Sequence, residues 1–147
     1  MKTVVLAAVC AVALTACSQQ TAQAPAEAPA APTQAEMVER GKYLVEAIAG
    51  CNDCHTPMTP QGPDMARSLH GAPLGFEPLA QMPWAPVAPA LAGGPAGYTD
   101  EQFAQFLQTG ARPDGSRPLP PMPPYRLNAE DARAVVAFIK TLPKPAA

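Results

Sequence analysis

The chain of 147 residues is 48% apolar and 15% charged, with a formal net charge of −2, so it is long enough for one cored domain and too short for two sizeable ones. That balance lacks the basic footprint of a nucleic-acid binder, and no nucleic acid is expected as a partner. Twenty prolines fix φ and delete backbone donors, which argues against a large sheet and for helices joined by stiff irregular loops.

Lys2 precedes an apolar run from Val4 to Leu14, the charged and hydrophobic regions of an export signal too short to span a bilayer. Cys10 lies inside that run and is lost with it. Leu14-Thr15-Ala16-Cys17 resembles the lipobox of bacterial lipoproteins, which implies a signal peptide over 1–16 and diacylglycerol on Cys17. An ordinary signal peptide cleaved near Ala11-Val12-Ala13 or Ala22-Gln23-Ala24 is the alternative. Two or more acyl chains give a stable anchor where one does not.

Residues 17–35 form an Ala/Pro-rich linker with one charge, Glu27, and no apolar period that could bury a face. Fully extended it reaches about 56 Å, and as a coil about 23 Å. The folded domain is expected over 36–147, lipid-anchored on the periplasmic side of a bacterial membrane.

Glu36 to Gly50 reads as a helix, with Met37, Gly41, Leu44 and Ile48 at helical spacing. Nine prolines between Thr56 and Tyr98 allow no regular element longer than a turn or two, apart from a short helical piece near Asp64 to Leu69. So long a structureless loop in a compact domain points to something it wraps. A second helix starts at Thr99, where Thr99 and Gln102 have capping-box spacing, and stops at Gly110. A third starts after Asn128 and carries the stripe Val135, Phe138, Ile139 and Leu142 before Pro143. Three amphipathic helices and no convincing strand predict an all-α domain.

Cys51-Asn52-Asp53-Cys54-His55 is the C-x-x-C-H signature of c-type haem attachment. Two thiols three positions apart on one turn can add to the two vinyl groups of one porphyrin, and the next residue brings an imidazole to the iron. A structural zinc site needs four ligands, and only His70 remains as a strong one. A redox dithiol needs a βαβ surround that the pattern lacks.

From Glu36 to Leu142 the chain resembles the bacterial monohaem class I c-type cytochromes. The matching pieces are CNDCHTP at Cys51 to Pro57, YTDEQF at Tyr98 to Phe103, Thr109-Gly110 with Pro113-Asp114-Gly115, LPPMP at Leu119 to Pro123, and NAEDARAVVAFIKTLP at Asn128 to Pro143. The resemblance implies a class I cytochrome c fold, three main helices and proline-rich loops wrapped around one covalently bound haem c. It also implies that the first and last helices cross, with Gly41 permitting close approach and Phe138 or Leu142 packing over it. The chain departs from the family pattern between Gly71 and Gly97.

Met122, held between prolines in Leu119 to Tyr125, matches the family's distal methionine, which implies iron ligation by His55 and Met122. Met82, in Met82-Pro83-Trp84, and His70 are the other candidates, alongside an open site. Met37, Met58 and Met65 read as gap-filling or loop residues. A thioether favours Fe(II) and raises the potential, whereas an open position permits ligand or peroxide chemistry. Arg67, Arg112 and Arg126 are candidates to pair with the propionates, and Trp84, Tyr98 and Tyr125 to line the pocket.

The function expected is a membrane-tethered electron carrier with no catalytic residues and no small-molecule substrate, exchanging electrons with protein donors and acceptors. The alternatives are the cytochrome subunit of a periplasmic dehydrogenase and a peroxidase-like haem enzyme. Without Lys2 the mature chain has nine basic and twelve acidic residues, a net charge of −3, which suits a basic docking surface on the partner.

Overall fold

Thr33 opens the first helix of the computed structural model, which describes residues 30–146. The predicted signal peptide, Cys10, Cys17 and most of the linker lie outside the described residues. Helix α1 spans Gln34–Tyr43, its Thr33 hydroxyl accepting from the Glu36 amide while the Glu36 carboxylate accepts from the Thr33 amide. This reciprocal cap starts the helix at Gln34, two residues before the expected start at Glu36. A π-helical segment, Leu44–Ile48, continues α1, with the Ala49 amide donating to the Leu44 carbonyl over 2.8 Å. Ala49 and left-handed Gly50 (φ 60°) then turn the chain into the short helix α2, Cys51–His55.

Two small ladders, absent from the sequence expectation, follow. Strands β1 (Met58–Thr59) and β2 (Gly62–Pro63) pair antiparallel, as do β3 (Ala72–Pro73) and β4 (Val87–Ala88). A single 3₁₀ turn occupies Met65–Arg67, within the piece expected near Asp64 to Leu69. Each strand is two residues long because proline cannot donate to a ladder and the segments carrying them are proline-rich.

Helix α3, Asp100–Thr109, has the Thr99/Gln102 capping box and ends on Gly110 at φ 70°, as its sequence predicts. Helix α4, Ala129–Ile139, is capped by Asn128, whose side chain accepts from the Asp131 amide over 2.8 Å. It stops three residues before Leu142, which instead packs at the edge of the core. Helices α1 and α4 pack against each other, and α3 packs on α4.

Val45, Leu69, Leu107, Ala132, Val135 and Ile139 are among the residues that close the core between these helices. Its edges are tied by ion pairs: Arg40 grips Asp131 through two nitrogens at 2.7 and 3.1 Å, and Lys140 Nζ lies 2.6 Å from Asp100. Among the described residues no helix is long and apolar enough to cross a membrane. The helical content with few strands fits a class I cytochrome c fold.

Candidate functional site

Helix α2 carries the two thiols three positions apart and the imidazole directly after the second, within about one and a half turns. Cys51, Cys54 and His55 all open onto a cavity of about 680 Å³, within the range of cofactor pockets. Gly50 lets the chain reverse sharply enough to bring α2 to the cavity wall. A side chain there would need a left-handed backbone and would meet the Asp53 carboxylate at 2.8 Å.

His55 is buried, and its Nδ1 lies 2.7 Å from the Pro89 carbonyl oxygen. A carbonyl only accepts, so Nδ1 carries the proton and donates, and Nε2 keeps its lone pair. Burial pulls the imidazole pKa below its ordinary value, opposed by that same hydrogen bond. The neutral ring suits a metal ligand whose orientation is set by the partner of its other nitrogen. Pro89 reaches this position because β3 and β4 pair. Gly71, at φ 82°, allows the close approach of Ala88 and Ala90, and its amide donates to the His55 carbonyl over 2.7 Å.

A buried polar chain fixes the polypeptide leaving α2. Thr56 Oγ1 donates to Asn52 Oδ1 at 2.7 Å and accepts from the Leu69 amide at 2.9 Å, while Ser68 Oγ donates to the same Asn52 oxygen at 2.9 Å. Leu69 is fully buried at φ 58°, and its carbonyl accepts from Leu91 and Ala92. This single residue therefore joins the segment after α2 to the segment after β4. Asn52, Thr56, Leu69 and Pro89 are the site-building residues that the sequence did not single out; nothing in their identities marks the partners they find.

Met122 lines the same cavity, from the loop between α3 and α4. Met82 and His70 are not part of its wall: Met82 is 47% exposed, and His70 Nε2 lies 3.1 Å from the Pro143 carbonyl. Tyr98, Phe103 and Phe106 form an aromatic wall with ring centroids 5.7 to 5.9 Å apart. Tyr125 is also a lining residue, and its hydroxyl donates to the Ala49 carbonyl. Burial pushes the Cys51 thiol up to about 11 and the Tyr125 hydroxyl up to about 12, and raises Cys54 as well.

Three expectations about the rim change. Trp84 stacks edge-on against Phe76 at 5.8 Å and lies outside the cavity wall. Arg67 is paired with Asp64 at 2.7 Å and Arg126 is exposed, so of the three arginines Arg112 alone reaches the wall. Lys144, not anticipated, joins it there. Among the described residues no group of three or more His, Cys, Asp or Glu is arranged to hold a metal ion.

The two thiols, the imidazole with a bare nitrogen and the thioether that line this apolar cavity fit a c-type haem. The sequence profile of the family described as cytochrome c matches residues 38–143, and the chain belongs to that family as a bacterial class I c-type cytochrome. Membership implies a covalently bound haem c and electron transfer as its chemistry.

The chain is 35% identical over 124 residues to the fructose dehydrogenase cytochrome subunit of Gluconobacter japonicus, covering 82% of this chain and 24% of that protein. It is 33% identical over 111 residues to a diheme cytochrome c-type protein of Cereibacter sphaeroides, covering 71% and 35%. It is 32% identical over 120 residues to the cytochrome c subunit of the quinone alcohol dehydrogenase of Gluconobacter oxydans, covering 76% and 22%. The chain thus spans between about a fifth and a third of the length of these relatives.

Proposed function

We propose that this protein is a single-haem electron carrier in which Cys51 and Cys54 would hold the porphyrin by thioethers and His55 and Met122 would ligate the iron. The observation that carries the reading is the shared cavity, whose wall includes Met122 and neither Met82 nor His70. When bound, haem c supplies a one-electron iron couple. The Pro89 carbonyl holds the His55 ring with Nε2 free to coordinate, and Tyr98, Phe103 and Phe106 keep water from the apolar wall. A soft thioether at Met122 favours the reduced metal and leaves no position for a substrate, which suits outer-sphere transfer. The predicted lipobox supports an anchor at Cys17, with residues 17–35 as a tether on the periplasmic side of a membrane.

Two of the relatives are named as dehydrogenase cytochrome subunits, which favours a second reading in which this chain passes electrons from a periplasmic dehydrogenase. Co-purification of the tagged full-length protein with a catalytic chain distinguishes a stable subunit from a free carrier.

Met122→Ala and Met82→Ala test the ligand set. The parent should show the weak long-wavelength absorption of ferric iron bound to methionine sulfur. Met122→Ala should lose it, lower the potential and bind carbon monoxide when reduced, while Met82→Ala keeps the band and the potential and does not bind carbon monoxide. Loss in Met82→Ala alone reverses the assignment, and absence of the band from the parent, with rapid cyanide binding, favours the peroxidase-like enzyme.

A further inference from the structure

The Met122 segment is held almost without backbone hydrogen bonds. Pro118, Pro120, Pro121, Pro123 and Pro124 remove the donors around it. The segment's ends are tied where the Pro120 carbonyl accepts from the Ala85 amide over 2.8 Å and the Leu127 amide donates to the Leu107 carbonyl over 3.1 Å. Between Pro121 and Arg126 the chain is tied to a distant segment where the Tyr125 hydroxyl donates to the Ala49 carbonyl, 76 positions away in sequence.

Ala49 is the residue on which the π-helical segment ends, and it lies two positions before Cys51. π-Turns inside helices are frequent at functional sites. The last carbonyls of a helix lack partners within it, and here the tyrosine hydroxyl supplies one. Tyr125 also lines the cavity, as Cys51 does, with its ring packed against the core. One side chain therefore bridges the segment bearing Met122 and the segment that enters the thiol pair.

We propose that Tyr125 is a positioning residue for Met122: its hydrogen bond to Ala49 latches the distal-ligand loop against the polypeptide that bears Cys51. The inference rests on Met122 being the distal ligand. Its consequence is kinetic. With the latch made, the thioether leaves the metal only when the loop detaches from Ala49. Without it, the loop opens more often although every other contact of the ring persists.

The test uses the full-length, haem-loaded ferric protein, with cyanide as a probe that enters only when the distal position opens. Tyr125→Phe removes the hydroxyl and keeps the ring. It should retain covalent haem and the methionine-to-iron absorption, yet bind cyanide on the order of three- to tenfold faster, the weight of one neutral hydrogen bond. Asp131→Asn, which cuts the α1 to α4 ion pair away from the cavity, serves as a control for general loosening and should leave the cyanide rate unchanged. An unchanged rate in Tyr125→Phe overturns the latch, as does equal acceleration in both variants. Met122→Ala separates the two claims: if it keeps the sulfur-to-iron absorption, the ligand assignment itself fails. Should Tyr125→Phe not load haem, 3-fluorotyrosine at position 125, a stronger donor of nearly equal size, should slow cyanide binding, and no change there also overturns the proposal.

Discussion

Gly41 on α1 lies directly against the backbone of Ala134 on α4. A Cβ at position 41 would overlap the Ala134 carbonyl and stand 2.8 Å from Phe138 Cβ. The expected crossing of the first and last helices thus takes its close approach from an absent side chain, with Phe138 at the contact and Leu142 beyond the end of α4. Gly41→Ala must push the helices apart and should cost about 1–3 kcal/mol, as overpacking does. Gly75→Ala, where nothing stands within 4 Å, should change stability by less than about 0.5 kcal/mol. Urea midpoints of the two variants check this contrast.

Thr56 has a side chain that is 1% exposed and both donates and accepts. Thr56→Val keeps the shape and leaves the buried Leu69 amide without its acceptor. A loss of about 1–3 kcal/mol is expected, the cost of an unsatisfied buried group. It should appear as a lower urea midpoint with an unchanged slope. Equal stability would mean that the loop after α2 is held by packing alone.

Acid should weaken the contact between α1 and α4. The hydrogen bonds from the Arg40 guanidinium hold the Asp131 carboxyl below its ordinary pKa. A group with a lower pKa when folded binds fewer protons in that state, so its stabilisation is complete above the unfolded value of ~3.9 and fades as the pH falls through the folded one. The stability difference between the parent and Asp131→Asn should therefore be constant from pH 5 to 7, on the order of the plateau that linkage requires, and shrink below about pH 4. A difference that persists undiminished in acid would assign the effect to the Asn128 cap instead.

Cys17→Ser should transfer the protein from the membrane fraction to soluble periplasmic material or block its processing, read by fractionation and by the mass of the mature N-terminus. Unchanged membrane association would assign the attachment to a partner or to an uncleaved signal.

Helices α3 and α4 were legible because local chemistry agrees with the final structure: caps at Thr99 and Asn128, apolar stripes, and a glycine stop at Gly110. The start of α1 was equally written in Thr33 and Glu36, but it is masked by the Ala/Pro-rich composition of the residues before it. The π-segment depends on a shift of one residue in hydrogen-bond partner, which no side chain announces. The β3 to β4 pairing was hidden because it joins only two residues on each side, Ala72 and Pro73 with Ala88 and Val87, and its register follows from the loop's path. Cys51, Cys54 and His55 are marked by spacing. The carbonyl that orients His55 belongs to a backbone group present in every residue, so only the tertiary structure identifies Pro89.

The nine prolines between Thr56 and Tyr98 also act before the chain has folded. Each already has its φ restricted in the unfolded polypeptide, so fewer conformations are surrendered when the segment takes its native path. The stiffness of this sequence therefore moves part of the ordering of the cavity wall from the moment of cofactor capture to the moment of synthesis: the unfolded polypeptide is already biased toward enclosing its guest.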